Sequence, residues 1–220
     1  MKPINLSIVG LEGSSKTTSI NTIVGVFNKH GFDINITKEP GGSPTANRIR
    51  HLLLADADDD DITPQAELLL FFASRMQTRN SVVKKSLDKG VSILSDRCWW
   101  CSYAYQAYNV LSDSEMRTFE FLKDQWEEGG YKYDAVLFMD VDPEVGLIRA
   151  KGRGELDRIE KKTMDFFKRA REGYLHLAST ESGVTTIDAN GTQEEVQTLV
   201  EGWAESLVKM YKHKKTNYAK

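Results

Sequence analysis

The chain carries its most chemically pointed residues between Ile4 and Thr18, INLSIVGLEGSSKTT. Gly10, Leu11, Glu12, Gly13, Ser14, Ser15, Lys16, Thr17 and Thr18 follow the spacing G-x-x-x-x-G-K-[ST], with one departure. In that pattern successive backbone N–H groups point into one concavity at a helix N-terminus, where the helix dipole also favours an anion. Lys16 is then a point charge for terminal phosphates, and the Thr17 hydroxyl a ligand for Mg2+. Ser15 stands where the second glycine belongs. The loop must hold it at negative φ or accept a left-handed residue at a cost of roughly 1–2 kcal/mol.

Other stretches offer partners for this loop. Asp96-Arg97 ends an apolar run, so Asp96 could hold Mg2+ through water and Arg97 could clamp a phosphate bidentately; a structural salt bridge explains the pair equally well. Glu39-Pro40-Gly41-Gly42 is a turn in which the glycines allow close backbone approach to a ligand. Arg149 to Arg158 (RAKGRGELDR) gathers basic residues around two glycines, which reads as a hinged flap; the alternative is a charged helix face with Arg153 and Asp157 paired at i,i+4. Cys98 and Cys101 read as two small buried residues facing a pocket, with a redox dithiol as the rival, since zinc would need a second pair. Asp56, Asp58, Asp60 and Glu67 mimic calcium-loop spacing, but Asp61 replaces the required glycine and Pro64 intrudes.

The elements that must position these groups alternate strand and helix. Ile4 to Val9 is an apolar strand, and Lys16 to Lys29 a helix closed near Gly31. Phe32 to Lys38 alternates as a second strand, and Pro44 opens a short helix carrying Arg48 and Arg50 that stops at Ala55. From a Thr63-Pro64 cap, a long helix should bury Leu68, Leu69, Phe72 and Met76, with Phe71, Arg75 and Arg79 on a shared stripe, until Gly90 ends it. Val91 to Ser95 and Tyr131 to Val141 read as buried parallel strands. An amphipathic helix over Glu160 to Leu177, a strand Val184 to Asp188 and a helix Gln193 to Met210 close the chain. The basic tail, 213–220, is expected to fray.

At 220 residues, 40% hydrophobic and 28% charged, the chain suits one globular domain, 1–212. A net charge of -3 argues against a nucleic-acid binder relying on bulk positive charge. With no apolar run of about 18 residues and no signal-like start, the expectation is a cytoplasmic protein without a membrane partner.

Taken in order, GLEGSSKTT, EPGG with Arg50 downstream, ELLLFFASR, DR followed by SYAYQ, and RGELDRIE resemble thymidylate kinases over roughly Ile4 to Asp188. The resemblance implies an α/β P-loop nucleoside monophosphate kinase fold: a five-stranded parallel sheet, order 2-3-1-4-5, flanked by helices. It implies transfer of the γ-phosphate of ATP, with Mg2+, to dTMP in dTTP synthesis, by a homodimer. Carried over by position, Phe71 stacks on thymine and Arg75 binds its carbonyl edge, while Ser102 and Gln106 read the base and Tyr105 packs on the deoxyribose. Glu39 and Pro40 line the acceptor site. Arg50 and Arg97 grip the acceptor phosphate, and Glu12 sits near the sugar hydroxyl. Lys16, Arg97, Glu12 and Arg153 are the catalytic set, Arg149 joins the ATP site, and Thr17 and Asp96 serve the metal. The phosphate loop lacks an arginine, which places the catalytic one in the LID flap, about 149–160, at Arg153. Cys98-Trp99-Trp100 departs from the Tyr or His usual after Asp-Arg. The rivals are a kinase for another, possibly modified, pyrimidine deoxynucleoside monophosphate, and a silent nucleotide-binding protein of the same fold.

Overall fold

The computed structural model describes residues 2–55, 61–108, 112–128, 131–152 and 157–218. Five strands, β1 (Asn5–Val9), β2 (Ile34–Lys38), β3 (Ser92–Asp96), β4 (Ala135–Asp140) and β5 (Val184–Asp188), form one parallel sheet in the order β2-β3-β1-β4-β5. The central strands β1, β3 and β4 are buried along nearly their whole length, whereas the edges β2 and β5 expose most of their residues. Register sets Ile8 beside Asp96 and Val9 beside Phe138. The chain leaves β1 toward β3 on one side and β4 on the other, so a crevice opens beyond the carboxyl ends of these strands.

Helices cover both faces: α1 (Lys16–Lys29), α2 (Pro44–Leu54), α3 (Pro64–Thr78), α4 (Lys84–Asp88), α5 (Trp99–Ser102), α6 (Asp113–Glu127), α7 (Pro143–Lys151), α8 (Met164–Thr180) and α9 (Gln193–Tyr218). Their starts obey local chemistry. Ser43 caps α2, Asp142 caps α7 and Thr163 caps α8 through side-chain oxygens that accept backbone N–H groups. Thr63, expected to cap α3, makes no such bond. Among the described residues no helix is long and apolar enough to cross a membrane.

Three expectations shift. The long helix from Pro64 is interrupted by a π-helical turn at Arg79–Val83, and α3 is rotated so that Leu68, Phe71, Phe72 and Arg75 face inward while Leu69 is exposed. Arg75, with three internal partners, is what turns the helix. The closing helix runs beyond Met210 into the basic tail as far as Tyr218. It packs along α1, with Thr22 Oγ1 donating to Gln197 at 2.6 Å and Glu205 pairing with Lys29, and cationic residues suit a helix C-terminus. The calcium-like residues Asp56, Asp58 and Asp60 lie outside the described residues.

Candidate functional site

The loop after β1 turns sharply because its glycines are crowded as well as twisted. A Cβ on Gly13 (φ 73°) would stand 2.1 Å from the carbonyl oxygen of Gly146 on α7, and one on Gly146 would meet the carbonyl of Glu12 at 2.4 Å. Two glycines thus seat the loop against α7. Ser15 takes the left-handed option, φ 65° and ψ 18°, immediately before α1. Lys16 curls over the loop and donates to the carbonyls of Gly10 (3.0 Å) and Leu11 (2.6 Å) and to Ser14 Oγ (3.2 Å). Burial, followed by the charge of Arg97, lowers its pKa to about 8. An ammonium group held this way is a charge waiting for an anion.

Beyond the strand ends lies a cavity lined by Glu12, Glu39, Pro40, Arg50, Phe71, Arg75, Arg97, Cys101, Tyr105 and Gln106 among others. Arg75 is 1% exposed and fully occupied on one side. Its Nε donates to Glu39 Oε2 at 2.6 Å, Nη1 to Ser102 Oγ at 3.3 Å and Nη2 to the Cys98 carbonyl at 3.1 Å. Burial outweighs the Arg75 pairing and leaves the Glu39 carboxyl above its ordinary pKa. Arg97, left-handed at φ 75°, directs Nη2 to Glu12 Oε1 at 2.7 Å, and Tyr105 donates its hydroxyl to Glu12 Oε2 at 2.7 Å. Burial pushes the Glu12 carboxyl up, but Arg97, Lys16 and Tyr105 together hold it below its usual value. Arg50 donates to the Pro40 carbonyl at 2.9 Å. Burial, then the charge of Arg97, lowers its pKa. A guanidinium group whose charge is disfavoured by a second one beside it makes a place for an anion.

A second, open hollow of about 1600 Å³ lies over the phosphate loop and is lined by residues 12–18 together with Asp96, Arg149, Thr192 and Gln193. The two spaces share Glu12, Glu39, Arg50, Arg97 and Asp157, so they meet at the paired arginines. Asp96 Oδ1 is buried without a hydrogen-bond partner, and Thr17 lines the same hollow. Hard oxygen donors of this kind fit Mg2+, which keeps waters and takes only one or two protein ligands beside phosphates. Among the described residues, no group of three or more His, Cys, Asp or Glu is placed to hold a metal.

The sequence-derived residues therefore converge, with some differing in detail. Arg149 borders the hollow, but its guanidinium is spent on the carbonyls of Ala189 (2.6 Å), Asn190 (2.8 Å) and Gly191 (2.7 Å), fastening the β5–α9 connection. Arg153 lies outside the described residues. Ser102 faces Arg75, as a support for that side chain. Cys98 and Cys101 are free and buried, and only Cys101 reaches the cavity, where Tyr174 donates to its sulfur at 3.0 Å. Three contributors were invisible to local pattern. Tyr133 leans its hydroxyl on Glu39 at 3.4 Å, Gly146 seats the loop, and Glu67 links Gln106 to Arg158. A lone glycine inside the helical stretch Pro143–Lys151 was the one signal available for Gly146.

The family model described as thymidylate kinase matches residues 8–200 of this sequence. The chain belongs to the thymidylate kinase family, and with it to the nucleoside monophosphate kinases.

Proposed function

We propose, from that membership, that the chain transfers the γ-phosphate of ATP to dTMP, giving ADP and dTDP. The observation that carries this reading is the junction of the two spaces at Arg50 and Arg97, one space cradled by a phosphate loop and the other walled by Phe71, Arg75 and Gln106. A donor triphosphate over Lys16 and an acceptor monophosphate at the paired arginines stand nose to tail. Phosphoryl transfer needs in-line placement and charge neutralisation rather than a covalent nucleophile. An acceptor phosphate oxygen attacks the γ-phosphorus, the bond to the bridging oxygen breaks, and ADP leaves with the electron pair.

Each residue has a part in that placement. Lys16 exchanges its loop carbonyls for phosphate oxygens. Arg97 and Arg50 hold the acceptor phosphate, and Glu12 fixes the direction of Arg97 while Tyr105 closes the sugar side. Phe71 offers a ring face and Arg75 its remaining N–H groups to a pyrimidine carbonyl. Thr17 and, through water, Asp96 would hold Mg2+, which when bound would supply positive charge to the phosphates. Arg153 in the flap is assigned to the transferring group because the phosphate loop holds no arginine, and a cis arginine contributes roughly 10³–10⁵ in rate. Exposed Leu52, Leu69 and Phe121 on α2, α3 and α6, with α3 packed against both of the others, support pairing into a homodimer.

The test is a panel of nucleoside monophosphates with ATP and Mg2+. Fast turnover of dTMP is expected. Negligible turnover of dTMP beside fast turnover of another monophosphate overturns the substrate, and no turnover of any makes the chain a silent member of the fold.

A further inference from the structure

Glu67 sits on α3 one turn before Phe71 and joins the acceptor cavity to the root of the flap. Its Oε1 accepts Gln106 Nε2 at 2.8 Å, and its Oε2 pairs with Arg158 Nη2. Arg158 in turn donates Nε to the Leu53 carbonyl at 3.0 Å. All three side chains are largely withdrawn from water, Glu67 and Arg158 being 13% exposed. We propose that Glu67 is a positioning residue which fixes the amide of Gln106 with its oxygen toward the base, so that the site selects a pyrimidine bearing an N3–H over cytosine. This rests on the pyrimidine monophosphate kinase reading above.

The argument is one of donors and acceptors. A carboxylate paired with a guanidinium has only acceptor oxygens, so Gln106 must turn its NH2 to Glu67. The amide oxygen is what Gln106 then has left to offer the cavity it lines. Arg75 lines the same cavity and can only donate, with three of its bonds already committed to Glu39, Ser102 and Cys98. The wall therefore sets a donor beside an acceptor. Thymine and uracil present a carbonyl and an N3–H, which match both. Cytosine presents an amino group and a bare ring nitrogen, which oppose both. Rejection by unpaired or opposed polar groups at a dry site is strong, whereas a hydrophobic pocket alone would separate these bases weakly.

Replacing Glu67 by glutamine keeps its shape and removes its dictate. Arg158 can only donate, so it takes the new amide's oxygen and leaves the NH2 facing Gln106. Gln106 must answer with its own oxygen, and its NH2 then faces the base. The experiment compares kcat/KM for dTMP and dCMP at saturating ATP and Mg2+ in the full chain. The wild type is expected to prefer dTMP. Glu67→Gln is expected to lower the dTMP-to-dCMP ratio at least about tenfold, mainly through KM for dTMP, with a thermal midpoint close to the wild type. Gln106→Leu should lower the ratio similarly, and adding Glu67→Gln to it should change the ratio no further. A wild-type ratio in either single variant overturns the proposal; if Glu67→Gln does not fold, Gln106→Leu alone decides. A wild-type enzyme that phosphorylates no pyrimidine monophosphate overturns the functional reading itself, while a dTMP preference that survives Glu67→Gln overturns only the role of Glu67.

Discussion

The acceptor cavity and the donor hollow are built on opposite principles. Around the cavity the polar side chains are already paired with one another: Arg75 with Glu39, Arg97 and Tyr105 with Glu12, Gln106 and Arg158 with Glu67. Around the hollow they borrow partners or lack them. Lys16 rests on loop carbonyls, and Asp96 Oδ1 has none. A site that must distinguish one base from another benefits from groups that cannot reorient. A site for a triphosphate and its metal needs charge that becomes fully satisfied only when they arrive. Shape is prepaid on one side, and charge is held in reserve on the other.

Breaking the paired side should therefore damage fold and function together. Arg75→Ala leaves the Glu39 carboxyl buried with only the Tyr133 hydroxyl, and is expected to cost about 3 kcal/mol of stability, read from denaturant unfolding, alongside a large rise in KM for the acceptor. Breaking the reserve side should damage rate alone. Lys16→Met, and Arg153→Ala in the flap, are each expected to lower kcat by at least about 10²-fold, about 2.7 kcal/mol, with unfolding curves unchanged. Wild-type rates in either variant would remove the role assigned to it.

The third prediction concerns pH. Lys16, with a pKa lowered to about 8, is charged below that pH and neutral above it. kcat/KM for ATP reports the free enzyme, so it should fall about tenfold per unit as pH rises beyond about 8. The sign is that of a cation lost on deprotonation, and Lys16→Met should flatten this limb. The smallest effect belongs to Ser15→Gly. Relieving a left-handed serine should add about 1 kcal/mol of stability with little change in ATP affinity, as measured by thermal unfolding and titration.

The same division governs what could be read from sequence. The strands, the phosphate loop and helix starts such as Pro44 were legible, because period, proline and glycine placement are local properties, whereas the sheet order came with the family resemblance. The phosphate-loop wall of the hollow was legible for the same reason, being one contiguous run, residues 12–18. The cavity was only partly so. Arg75 looks like a surface charge in a helical repeat, and Leu69 like core, until Glu39, 36 residues away in sequence, supplies the buried partner that rotates α3. Glu67 meets Arg158 across 91 residues, and local periodicity has no term for that distance. Arg149 does border the hollow, but the carbonyls that hold its guanidinium come from the turn after β5, which no local pattern announces. The resemblance supplied what spacing could not, but it said nothing of Gly146.

That glycine has a mechanical corollary. Gly13 and Gly146 touch backbone to backbone with no room for even a methyl between them, and the helix that carries Gly146 also carries Arg149, which holds the turn after β5. The helix is thus bolted to the phosphate loop. A bulkier residue at 146 would press on the Glu12 carbonyl and push α7 away from the loop that carries Lys16.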